Sequence, residues 1–196
     1  MQRHGGTKRS SSPALRIMVV EVPAAQAPES SKRYTSGIKV MPVKVLDSDG
    51  LGRDSGIIAG VVHGADNGAK VILMGFSAPG FSQSLQDAVE HAWSEGAVLV
   101  AATGNAGSTE PAHLAGDAKV VGVSATDQAG ALWSGSKSGA AAFVAAPGVG
   151  IVAGGPGGGT AAVTGTSGFR RPCRRCRRPS PGQMTPGRRT APSWAG

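Results

Sequence analysis

Aromatic side chains make up only 4% of this 196-residue sequence, and cysteine occurs twice. So few aromatics argue against an aromatic-rich sandwich. The 31 glycines and the many alanines favour a closely packed α/β protein built from small residues. No apolar run is long enough to span a membrane. The N-terminus has Arg3, Lys8 and Arg9 but no apolar stretch ending at a cleavage site, so no secretory signal is visible. Cys173 and Cys176 form one Cys-x-x-Cys pair without a second Cys or His pair, which is half of a zinc site at most and reads as incidental.

Acidic residues are missing from one region altogether. Residues 168–196 contain eight arginines and no Asp or Glu, whereas the other 168 residues share 12 basic and 12 acidic side chains. The whole net charge of +8 therefore lies in the tail, and the basic isoelectric point carries no information about the rest.

The chain has room for one domain with a real core. Three zones follow. Residues 1–37 are Ser-, Pro- and Lys/Arg-rich, with one apolar patch at Ile17-Met18-Val19-Val20, and are expected to be poorly ordered apart from one strand. Residues 38–167 are regular. Residues 168–196 are Arg/Pro-rich and cannot bury enough apolar surface to offset their ordering entropy, so they are expected to be disordered.

Within the middle zone, Ile38–Leu46 is a β-branched-rich strand closing at Asp47-Ser48-Asp49-Gly50. Asp54 and Ser55 are expected to cap a helix with Ile57, Ile58, Val61 and Val62 at helical spacing, ending near Asn67-Gly68. Val71–Met74 reads as a strand buried on both faces. Ser82 opens a second helix, with Leu85, Val89, Ala92 and Trp93 on one face and Glu95-Gly96 at its end. Ala97–Ala102 is a further buried strand, followed by the turn Thr103-Gly104-Asn105-Ala106-Gly107. Val120–Val123 and Ala142–Ala145 are two more strands. Strand and helix alternating with short links predict right-handed βαβ units, a mainly parallel sheet, and chemistry at strand C-termini, in the loops 74–80, 102–107 and 164–168.

Two loop residues could carry chemistry. Ser167, within Gly165-Thr166-Ser167, is a hydroxyl on a turn of small residues. Asn105 could donate its side-chain amide to a developing oxyanion. Taken singly, each is ordinary loop composition, since asparagine suits a turn as readily as a site.

The segments 39–47, 65–72, 100–105, 144–148 and 165–167 occur in order: Lys-Val-Met-Pro-Val-Lys-Val-Leu-Asp, Ala-Asp-Asn-Gly-Ala-Lys-Val-Ile, Val-Ala-Ala-Thr-Gly-Asn, Val-Ala-Ala-Pro-Gly and Gly-Thr-Ser. The series closely resembles the second half of a subtilisin-like serine peptidase, a subtilase, over residues 38–167. The resemblance implies a three-layer α/β fold, incomplete here, with irregular terminal segments. It implies Ser167 as nucleophile and Asn105 as oxyanion-hole donor. Gly75, Phe76 and Ser77 match the segment that pairs with the substrate backbone. Ala102, Thr103 and Gly104 match a wall of the main specificity pocket, and Asn67 has a structural role. It further implies a peptide or protein substrate, a monomer, an extracellular or cell-envelope location, and no cofactor. Calcium is admitted by the family, but its loops are unmatched here.

The departures are specific. The family's chain order is Asp, His, Ser, and nothing before Ile38 matches the Asp motif. The one counterpart of the His motif is His4 in Arg-His-Gly-Gly-Thr, one glycine too long and followed by no apolar helix. His63 and His91 fall in expected helices and His113 in an expected loop, in structural or solvated roles. Asp47, Asp49 and Asp54 read as turn and cap residues.

After Ser167 the family continues as a buried Ala-Ala-Pro-x-Val-Ala helix, whereas this chain has Phe-Arg-Arg-Pro-Cys-Arg-Arg-Cys. Written in GC-rich codons and read one base later, those residues become Ser-Ala-Ala-Pro-Val-Ala-Ala. The tail is therefore expected to be an out-of-frame translation; residues 1–37 allow no such reconstruction. The chain is expected to lack a complete catalytic set. The alternative is a non-catalytic scaffold whose Arg-rich tail binds nucleic acid or another polyanion.

Overall fold

The computed structural model describes residues 16–20, 39–47, 50–77, 80–110, 112–154 and 160–167. The elements are β1 (Arg16–Val20), β2 (Lys39–Val43), α1 (Asp54–Asp66), β3 (Val71–Met74), α2 (Gln83–Ser94), β4 (Val98–Ala102), α3 (His113–Gly116), β5 (Val120–Thr126), β6 (Val144–Pro147), β7 (Ile151–Gly154) and β8 (Thr160–Val163). Six strands form a sheet in the order β2-β1-β3-β4-β5-β6, and every neighbouring pair is parallel. β7 and β8 form a separate antiparallel pair. The architecture is α/β with a mainly parallel sheet.

The apolar patch 17–20 forms the strand expected of it. That strand pairs with β2 on one side and β3 on the other, so the sheet reaches upstream of residue 38. Among the described strands β2 is at the edge, which suits Pro42 because a proline has no N–H to donate to a ladder.

From β2 to β3, β4 and β5, each step with a helix advances across the sheet in one direction. Right-handed crossovers therefore put α1, α2 and α3 on one face. The core agrees: Ile57, Val61 and Ala65 of α1 and Leu85, Val89 and Ala92 of α2 pack against Ile72, Met74, Leu99 and Ala101 of the sheet. The strands buried on both faces in the sequence reading are buried here on alternate residues. Val71, Leu73 and Val100 are half-buried, and Val98 is 37% exposed. Only the step from β1 back to β2 runs the other way, and residues 21–38, which make it, lie outside the described residues.

Several boundaries differ from expectation. α1 is capped by neither Asp54 nor Ser55. Its N-cap is Arg53, without a side-chain bond, because the Arg53 carbonyl already accepts from the amides of Gly56 and Ile57. Asp54 instead sits in the first turn, where the helix dipole favours a carboxylate. Ser82 does cap α2, accepting from the Leu85 amide at 3.4 Å. β6 starts at Val144 because Ala142 and Phe143 are spent on the turn that enters it: their amides donate to the carbonyls of Gly139 and Gly122. His113, expected in a loop, opens the one-turn helix α3. The 164–168 segment follows the β7–β8 hairpin rather than a strand of the main sheet. No helix among the described residues is long and apolar enough to cross a membrane.

Candidate active site

β3 and β4 are parallel neighbours in register Met74 with Ala101, so the segments leaving their C-terminal ends emerge side by side. Continuing that register sets Ser77 opposite Gly104. A Cβ on Gly104 would indeed lie 3.2 Å from Ser77 Oγ. Gly75 is buried, Phe76 is half-buried against the core and Ser77 is exposed. Gly104 has φ +103°, a conformation that L side chains rarely adopt.

The β4 segment is anchored by hydrogen bonds. Ala102 and Thr103 are buried, and the Thr103 amide donates to the Val123 carbonyl at 3.1 Å. Thr103 Oγ1 lies 3.2 Å from both Ser124 Oγ and the Lys137 carbonyl. The Lys137 amide in turn donates to the Gly104 carbonyl at 2.9 Å.

Asn105 and Ser167, far apart in sequence, meet through Thr166. Asn105 Oδ1 accepts from the Thr166 amide at 2.8 Å and from Thr166 Oγ1 at 2.9 Å. The same hydroxyl accepts from the Gly104 amide at 3.1 Å. Thr166, 2% exposed, thus has both its amide and its hydroxyl hydrogen-bonded. A backbone N–H can only donate, so it fixes which end of the Asn105 amide faces Thr166. The Nδ2 donor must turn the other way, and it lies 3.0 Å from where a Cβ on Gly165 would stand. The turn is held from behind as well, since the Gly165 amide donates to the Gly148 carbonyl at 2.9 Å. Ser167, next in sequence, is half-buried.

No base accompanies the serine among the described residues. His63 and His91 lie toward the C-termini of α1 and α2, helices that lead into the N-terminal ends of β3 and β4. They are therefore at the opposite end of the strands from Asn105. There the His91 ring meets Asp66 Oδ1 at 2.7 Å, and His63 lies within 3.3 Å of the Asn67 amide. The His113 ring packs on Phe81 at 5.8 Å. Asp47 Oδ1 accepts from the Leu51 amide at 2.9 Å, as a turn residue would. His4 and Asp49 lie outside the described residues. No group of three or more His, Cys, Asp or Glu side chains gathers among the described residues.

Thr166, Lys137 and Gly148 were not singled out from sequence. Thr166 had a signal, its place in Gly-Thr-Ser. Gly148 had one too, as the last residue of Val-Ala-Ala-Pro-Gly, and a Cβ there would stand 2.5 Å from the Gly165 carbonyl oxygen; Lys137 is anchored through backbone groups, which every residue type carries.

Comparison with known proteins identifies the family. A family model described as the subtilase family matches residues 22–176. Thermitase of Thermoactinomyces vulgaris is 39% identical over 128 residues, covering 65% of this chain and 46% of that protein. Subtilisin BL of Lederbergia lenta is 38% identical over 125 residues, covering 64% and 46%. A thermophilic serine proteinase of Bacillus sp. (strain AK1) is 38% identical over 129 residues, covering 66% and 32%. The chain thus spans less than half the length of these relatives. Among solved structures, the prenylagaramide maturation protease PagA shares the fold, with a TM-score of 0.66 at 22% identity over 80% of this chain and 70% of that one. With a family match over most of its length and the strand ends, amide and serine turn arranged as described, the chain belongs to the subtilase family.

Proposed function

We propose that this chain carries one half of a serine endopeptidase site and is inactive as this polypeptide. Ser167 is the nucleophile and Asn105 the oxyanion donor. The segments Gly75-Phe76-Ser77 and Ala102-Thr103-Gly104 hold an extended peptide between them. The observation that carries the reading is the double use of the Asn105 amide: its oxygen is committed to Thr166, which leaves its NH₂ as an oriented donor beside the serine turn. When Ser167 Oγ adds to a peptide carbonyl, that NH₂ donates a hydrogen bond to the oxygen on which negative charge develops. The missing part is proton removal. Without a neighbouring imidazole the serine hydroxyl stays protonated and weakly nucleophilic, and no motif upstream supplies the Asp and His. By the same family reading, the substrate is a peptide or protein, the chain is a monomer and its location is extracellular or at the cell envelope.

A fluorophosphonate probe tests this. The expected result is no labelling of Ser167. Labelling that disappears in Ser167→Ala would establish the nucleophile and overturn the claim of inactivity. A second reading, polyanion binding, is favoured by the confinement of the net charge to residues 168–196. Salt-sensitive DNA binding that vanishes on deleting those residues, with no labelling, would support it.

A further inference from the structure

We propose that Asn67-Gly68 is a self-modification site that the fold holds latent. Whenever the end of α1 opens, the Gly68 nitrogen attacks the Asn67 side chain, and the asparagine becomes aspartate or isoaspartate. Ser167 plays no part in this chemistry.

The chain has two asparagines, Asn67 and Asn105, and only Asn67 precedes a glycine. Glycine has no Cβ to shield its own nitrogen or to restrict the backbone, so an Asn-Gly pair in an open chain closes readily to a succinimide. The Gly68 amide gives its proton to solvent base, and its nitrogen bonds to Asn67 Cγ. The Cγ–Nδ2 bond breaks, and Nδ2 leaves as ammonia with a proton taken from water. Water then opens the ring at one of its two carbonyls. Opening at Cγ gives aspartate; opening at the main-chain carbonyl gives isoaspartate, with the backbone rerouted through the side chain. Water is the sole co-reactant, and Asn67 and Gly68 are both exposed to it.

In the folded chain each reacting group is held out of reach. Asn67 is the C-cap of α1, with φ −90° and ψ 14°. At that ψ the Gly68 nitrogen nearly eclipses the Asn67 nitrogen and is turned away from Cβ, whereas ring closure needs it on the side-chain side. Its N–H is committed to the Ala65 carbonyl at 2.9 Å. The leaving nitrogen is committed as well: Asn67 Nδ2 donates to the His63 carbonyl at 2.8 Å and lies 3.3 Å from His63 Nδ1. The amides of Asn67 and Ala69 donate to the His63 and Gly64 carbonyls at 3.1 and 2.9 Å. Together these bonds satisfy the last carbonyls of the helix, and Gly68 at φ +74° completes the cap. Turning Asn67 into the reactive conformation breaks several of them at once. Opening of the cap therefore controls the reaction, although water already reaches the site.

The product cannot remake the cap. A carboxylate at position 67 has no N–H for the His63 carbonyl, and it stands at the negative end of the helix dipole, next to Asp66. Isoaspartate also lengthens the backbone between α1 and β3. Each opening that reacts is thus retained as a lesion.

The test incubates the full chain at mildly alkaline pH, in buffer and in denaturing urea. Peptide mapping by mass spectrometry reads the amide-to-acid mass gain at position 67, and isoaspartyl methyltransferase labelling counts the isoaspartate. Asn105, followed by alanine, is the internal reference. In urea, Asn67 should be converted ahead of Asn105. In buffer its rate should fall about ten-fold or more, because only the open fraction reacts, and it should rise as urea is added. Asn67→Gln should abolish the isoaspartate in both conditions. Equal rates at Asn67 in buffer and in urea overturn the proposal, since the cap then fails to protect. Conversion in urea no faster at Asn67 than at Asn105 overturns it as well, since the pair is then not reactive.

Discussion

In Asn105→Ala the Thr166 amide keeps its buried position but loses its acceptor, and the Thr166 hydroxyl loses one of its two partners. An orphaned buried donor costs about 1–3 kcal/mol, so the urea midpoint should fall by a corresponding amount. Asn105→Asp is the informative partner. It retains an oxygen toward Thr166 and replaces the NH₂ with a second, charged carboxylate oxygen, so it should recover most of the stability lost in the alanine variant. Equal losses in the two variants would show that the acceptor contact is not what holds the serine turn. These roles were legible in sequence only through the Gly-Asn and Gly-Thr-Ser motifs. Local patterning has no means of connecting position 105 to position 166. Lys137 was not legible at all, because its anchoring is by main-chain N–H and C=O groups.

Among the elements, β5 has the least tolerance. A Cβ at Gly122 would stand 2.7 Å from the Ala115 carbonyl oxygen and closer still to that of Ala141, and both are backbone atoms unable to rotate aside. Gly122→Ala must therefore push β5 away from α3 or from the turn entering β6. A cost of about 3 kcal/mol is expected, at the upper end of ordinary overpacking, and thermal unfolding measures it; a change within error would mean that the neighbouring chain gives way freely. The elements with strong local signals were placed correctly, α1 and α2 by their apolar spacing and β3 and β4 by their apolar runs, although the two strands are buried on alternate residues and not on both faces. Elements without a period were not. α3 is a single turn, and the β7–β8 hairpin flanks a glycine-rich stretch that has no alternation to read. β6 was displaced by two residues because a run of alanines marks neither of its ends.

Across the whole molecule, the three described helices share one face of the sheet, and the other keeps half-buried Val71, Leu73 and Val100 and exposed Val98. In the out-of-frame reading, the apolar segment recovered after Ser167 is the kind of helix such a face would accept, whereas arginines there would put charge where none can be paired. Genomic and transcript sequencing across codons 165–180, with peptide mass spectrometry of the product, should reveal a single-base discrepancy after Ser167. A frame confirmed at all three levels would make the arginine tail genuine.

The bond between Asn105 and Thr166 also has a kinetic side. It joins residues 61 apart in the chain, and that loop must close before the contact returns any stabilisation. The sheet from β3 to β5 can form through much shorter loops. The serine turn is thus expected to form after the sheet, so that a chain could have a native-like sheet while residue 167 is still unplaced.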